Sequence, residues 1–88
     1  ELPRVFEAAR PELVVYLAGV DPVEGDRYGR IKLTRGGLAS RERLVLETVV
    51  RYGLPVTLLL AGGYAATPWE TANLHATVHR EAGELCLI

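Results

Sequence analysis

The sequence predicts an α/β fold with the element order α-β-α-β-α. Two apolar runs of strand length, Leu13 to Ala18 and Val56 to Ala61, alternate with three stretches of helical spacing. Neither run alternates apolar with polar residues, the pattern of parallel strands covered on both faces. A strand, helix, strand sequence of this kind closes as a right-handed crossover with its strands side by side.

The first helix rests on Leu2, Val5, Phe6 and Ala9, which recur at helical intervals. Pro11 ends it by disfavouring helical geometry at Arg10. Leu13 to Ala18 is the first strand, and a long loop from Ala18 to Thr34 follows. Thr34 is the expected N-cap of the second helix, whose apolar face carries Leu38, Val45, Val49 and Tyr52, widened by Leu46 and Val50. Arg41, Glu42, Arg43 and Glu47 are expected mostly on the opposite, solvated side. Gly53 suits the left-handed position that closes a helix, and Pro55 prevents its continuation. Val56 to Ala61 is the second strand and leads into Gly62-Gly63-Tyr64. Thr67-Pro68-Trp69-Glu70 then supplies a capping threonine, a proline at the first helical position and a glutamate three residues after the cap, so a third helix is expected from Pro68 to about Ala82.

Eighty-eight residues with 49% hydrophobic and 24% charged side chains describe one small globular unit, too short for two domains. The net charge of -1, with basic residues scattered, argues against nucleic acid and anionic membranes as partners. No apolar run reaches the roughly 18 to 20 residues of a membrane span, and the first residues lack a signal-peptide pattern. The expectation is a cytoplasmic location. Cys86 stands alone, excludes an internal disulfide and is expected to be a buried, inert thiol. The absence of methionine suggests a processed piece.

Loops as long as Ala18 to Thr34 inside a compact unit are usually functional. In α/β sheets, ligands bind where loops leave the carboxyl ends of the strands, and Asp21 stands just past such an end. Its carboxylate suits either chemistry or an Asx turn or cap. If the two strands are neighbours, the loops bearing Asp21 and Tyr64 emerge together, within reach of one ligand. Gly62 and Gly63 lack the spacing of a dinucleotide motif and the lysine of a P-loop, and more simply allow a sharp turn and close approach. His75 and His79 share a helical face as metal ligands could, but the glutamate of a metalloprotease motif is missing. Glu24, Asp26, Arg27, Arg30 and Lys32 make the loop charged with both signs; Arg30 and Lys32 fit a solvated loop, and Asp26 after Gly25 fits a hydrogen-bond acceptor that closes it.

Pro11-Glu-Leu-Val-Val-Tyr-Leu-Ala-Gly-Val-Asp21, Glu24-Gly-Asp-Arg-Tyr-Gly-Arg-Ile-Lys-Leu-Thr34 and Leu60-Ala-Gly-Gly-Tyr64, taken together, resemble the C-terminal part of the histone deacetylase superfamily. The bacterial deacetylase-like and class IV branch is the most similar, and the resemblance runs from about Pro11 to Ala82. It implies an arginase-like domain whose parallel sheet carries zinc at the carboxyl ends of its strands, with residues 1–88 as one partial domain. By similarity Asp21 is a zinc ligand and Tyr64 the donor to the substrate carbonyl. Gly62 and Gly63 line the acyl-lysine channel, and Tyr28 falls on its rim or wall.

The family's remaining zinc ligands, from an Asp-x-His motif, and its paired proton-handling histidines have no match in this sequence. His75 and His79 follow the tyrosine and cannot take those places. The resemblance therefore implies part of a zinc-dependent amidohydrolase acting on an acyl-lysine protein or a small acylated amine, inactive in isolation and binding no zinc alone. The alternative is a stand-alone, non-catalytic α/β module that acts through self-association or partner binding. In either case a homo-oligomer is expected of the isolated chain, because a parallel sheet of two strands leaves apolar faces and edges uncovered.

Overall fold

The computed structural model describes residues 1–85, so Cys86 lies outside the described residues. Its order is α1 (Leu2–Ala9), β1 (Val14–Leu17), α2 (Arg35–Arg51), β2 (Val56–Leu59) and α3 (Pro68–Glu84), the predicted α-β-α-β-α. Local signals set the boundaries. Thr34 Oγ1 accepts the Gly37 N–H at 2.9 Å to cap α2, and Thr67 Oγ1 accepts the Glu70 N–H at 3.1 Å to cap α3. Gly53 takes φ 66°, the left-handed conformation that ends α2.

β1 and β2 pair in parallel from Val14 opposite Val56 to Leu17 opposite Leu59. Their pairing continues past the strands: Ala18 N–H donates to Leu59 O at 3.0 Å, and Val20 N–H donates to Gly62 O at 2.7 Å. The two chains therefore run together into the loops that leave the sheet.

Among the described residues the sheet is covered on one face only, so the apolar face expected to stay open in a two-stranded sheet is present, while the cover on both faces that the strand pattern suits is not. Ala18, Leu46, Val78 and Ala82 form a buried cluster, with Tyr16, Val56 and Leu58 packed against it. Both long helices thus lie over the same side. On the other side Val15 is 55% and Leu17 64% exposed. The remaining helix, α1, does not cover that side, because it packs on the end of α2, where Phe6 meets the Tyr52 ring edge to face at 5.5 Å. Among the described residues no helix is long and apolar enough to cross a membrane.

Two further expectations need correction. Val50 is 47% exposed and does not widen the apolar face of α2. Glu42, expected in solvent, is 1% exposed and sits in the stripe Leu38, Glu42, Leu46, Val49. The reason is a partner on the sheet: the Tyr16 hydroxyl donates to Glu42 Oε1 at 2.5 Å, and Arg41 binds the same carboxylate. A buried carboxylate is tolerated only when paired and hydrogen-bonded in this way. Burial, followed by the Glu42 hydrogen bond, pushes the Tyr16 phenol above its ordinary range and keeps it a donor. Elsewhere on α2, Arg43 faces α3 and bridges to Glu81 at 2.7 Å, as well as to Glu84.

Candidate active site

A second buried cluster, Val20, Val23, Leu38 and Leu74, lies beneath the long loop. It anchors the loop at its start, and a parallel bridge between Val23 and Leu33 folds the loop back on itself. Glu24 N–H donates to Leu33 O at 2.8 Å and Leu33 N–H to Pro22 O at 2.9 Å. The segment from Ala18 to Thr34 is thus a packed structure, and its tip can hold residues in place.

Asp21 stands at the carboxyl end of β1, beside the Gly62-Gly63-Tyr64 turn that leaves β2. The contact is close: a Cβ added at Gly62 would lie 3.1 Å from Asp21 Oδ1. One at Gly63, where φ is 156°, would lie 2.3 Å from the Val20 side chain. At Gly63 a side chain would thus collide with Val20, while at Gly62 it would crowd the Asp21 carboxylate. Gly29 packs backbone against backbone, since a Cβ there would fall 2.0 Å from the Asp21 carbonyl oxygen. Among the described residues Asp21 is exposed and its carboxylate accepts no hydrogen bond, and the turn at Asp21–Pro22 is closed by the backbone instead, Val23 N–H donating to Val20 O at 3.1 Å.

Tyr64 is held by its backbone on both sides. Its N–H donates to Asp26 Oδ2 at 2.6 Å, and its carbonyl accepts the Arg27 N–H at 2.8 Å. Asp26 Oδ1 also receives the N–H groups of Tyr28 at 2.9 Å and Gly29 at 2.8 Å. These three backbone donors, Tyr64 first, hold the Asp26 carboxyl below its ordinary range. The acceptor role expected of Asp26 is therefore present, and it extends beyond its own loop to the second one. Nothing in the local sequence signals that reach, since Tyr64 is 38 residues away.

Tyr64 is 58% exposed, and its ring meets Tyr28 edge to face, with centroids 5.1 Å apart. Tyr28 is itself 73% exposed, so the two phenols form an open aromatic wall. Asp21, Gly62, Gly63, Tyr64 and Tyr28 are thus brought together at one end of the sheet.

His75 and His79 line a cavity of about 680 Å³ between the Tyr64 turn and α3, with Arg27, Leu60 and Tyr64 also on its wall. Among the described residues His75 Nδ1 is buried without a hydrogen-bond partner. The two histidines do share a face, but Asp21 does not line this cavity. Among the described residues no three of His, Cys, Asp and Glu come together as a metal-binding group. An exposed, unbonded carboxylate oxygen at a strand end suits zinc as one ligand. The other ligands would have to come from outside the described residues.

Residues 1–80 match the histone deacetylase domain family. The chain is 40% identical over 84 residues to an uncharacterized protein of Picosynechococcus, an alignment covering 96% of this chain and 28% of that protein. It is 38% identical over 55 residues to histone deacetylase 2 of Arabidopsis thaliana, covering 62% of this chain and 14% of that protein. The chain thus spans less than a third of the length of these relatives.

Proposed function

The chain belongs to the histone deacetylase superfamily, and we propose that it supplies one edge of the active site of a zinc-dependent amidohydrolase acting on N-acyl-lysine or related acylated amines. The observation that carries this reading is the Val20 to Gly62 hydrogen bond, 2.7 Å, which holds the Asp21 and Tyr64 loops side by side at the carboxyl end of a parallel sheet. That is where α/β proteins bind their ligands.

The family is generally zinc-dependent, and Asp21 would be one of the protein ligands. When bound, zinc lowers the pKa of water toward neutrality and polarises an amide carbonyl. The chain's own residues do the rest of what is proposed here. Tyr64 donates its phenolic proton as a hydrogen bond to the carbonyl oxygen as that oxygen gains negative charge, and stays neutral in doing so. Asp26 and Arg27 fix the backbone from which that phenol projects, so little reorganisation accompanies the reaction. Gly62 and Gly63 leave room for an acyl-lysine to pass, and Tyr28 forms the outer wall with Tyr64. The remaining ligands and the groups that move protons are assigned to parts of the domain beyond these residues.

The test is a pair of substitutions in the complete natural polypeptide. Asp21→Ala should remove zinc and turnover together, while Tyr64→Phe should keep zinc and lose turnover. A variant at Asp21 that retained both would overturn the reading.

A further inference from the structure

We propose that Arg41 is a positioning residue for Asp21, holding the backbone just before it through a partly buried charge network beside the sheet. The proposal rests on the reading of Asp21 as a metal ligand. Arg41 lies on the second turn of α2, 29% exposed along its side chain, and its Nη2 donates to the Gly19 carbonyl at 2.7 Å. Gly19 is two residues before Asp21. The next residue, Val20, is fixed from the other side by its bond to Gly62. The peptide leading to Asp21 is thereby gripped by α2 on one side and by the β2 loop on the other.

The guanidinium is itself held. Its Nε donates to Glu42 Oε1 at 2.9 Å and its Nη2 to Glu42 Oε2 at 3.2 Å. Glu42 is fixed in turn by the Tyr16 hydroxyl. The arginine also lies 6.0 Å from the centre of the Tyr16 ring. Arginine is required because a planar fork can meet a carboxylate and a carbonyl at once, whereas a lysine ammonium is a single point of charge. A solvated ion pair would need none of this. A pair with a buried carboxylate and a guanidinium bonded to the strand end suits the alignment of a metal ligand, since groups that orient ligands typically govern metal affinity by roughly 10- to 100-fold.

The test uses the complete natural polypeptide. Arg41→Met alone would strand the buried Glu42 carboxylate, so the informative variant is Arg41→Met with Glu42→Met, which removes both charges while keeping apolar bulk. Three quantities are read: thermal midpoint, amide exchange at Val20, and zinc affinity by chelator competition. The expected result is a folded protein in which Val20 exchanges at least about tenfold faster and zinc binds about 10- to 100-fold more weakly. Arg41→Lys should recover neither. Unchanged Val20 exchange in the folded double variant would overturn the proposal, as would unchanged zinc affinity where Asp21→Ala abolishes binding. If zinc binding proves independent of Asp21, the functional reading fails, while faster exchange at Val20 would still support the grip on Gly19.

Discussion

Asp26 and Tyr64, 38 residues apart, are joined by a 2.6 Å hydrogen bond from the tyrosine N–H to the aspartate Oδ2. This bond ties the loop after β1 to the loop after β2. It makes the placement of one proposed functional residue depend on a carboxylate that takes no part in the chemistry.

The first prediction concerns pH. The backbone donors lower the folded pKa of Asp26, so the folded loop binds fewer protons than the unfolded chain at mildly acidic pH. The bonded loop is therefore favoured above the ordinary carboxylate value and loses that contribution as pH falls through the lower folded value. The Tyr64 amide resonance should stay constant from neutral pH to the ordinary carboxylate range and move only below it. Asp26→Asn should remove this transition, and a Tyr64 amide that already moved near pH 6 would contradict the assignment.

Gly29 gives the second. With its Cβ position 2.0 Å from the Asp21 carbonyl oxygen, Gly29→Ala must push one backbone segment off the other. Zinc affinity of the complete polypeptide should fall about tenfold or more. Gly25→Ala is the control: it meets nothing within 4 Å and suffers only from its φ of 88°, at about 1–2 kcal/mol. It should weaken the fold modestly and leave zinc affinity alone. Equal effects of the two on chelator competition would show that the contact is not what matters.

Much of this was legible in the sequence, and the parts that were not share a cause. The caps at Thr34 and Thr67 and the stop at Gly53 were readable because a cap's partner lies within three or four residues. The paired loop starts followed from β1 and β2 being parallel neighbours. The burial of Glu42 was hidden because its partner, Tyr16, is 26 residues away on another element. Position 42 does complete the spacing Leu38, Glu42, Leu46, Val49, which is the one local signal of it. An open sheet face was expected from a sheet of only two strands, but which face stays open was not legible, since the apolar run from Leu13 to Ala18 reads the same on both.

That open face carries the third prediction. Val15 and Leu17 on β1, with Leu59 on β2 at 42% exposed, leave an apolar surface beside unpaired strand edges. The isolated 88-residue chain should associate with itself at tens of micromolar, and Leu17→Lys should shift it toward monomer in sedimentation. A stable monomer of the unaltered chain would count against this.

For Tyr64 the expected loss is specific. Tyr64→Phe in the complete polypeptide should lower turnover of an acetyl-lysine peptide by roughly a hundredfold to a thousandfold, or about 3 to 4 kcal/mol, with zinc content unchanged. An unaffected rate would take the phenol out of the mechanism.

The account turns on Asp21 being one metal ligand among several, the others lying beyond these 88 residues. The most direct measurement is zinc per chain by mass spectrometry, made on the complete polypeptide, on its Asp21→Ala variant and on the 88-residue chain, each beside an acetyl-lysine hydrolysis assay. A catalytic zinc site usually has three protein ligands. The account predicts zinc and turnover in the first sample only. One zinc per chain with Asp21-dependent turnover in the 88-residue chain, or full zinc and turnover in the Asp21→Ala variant, would contradict it.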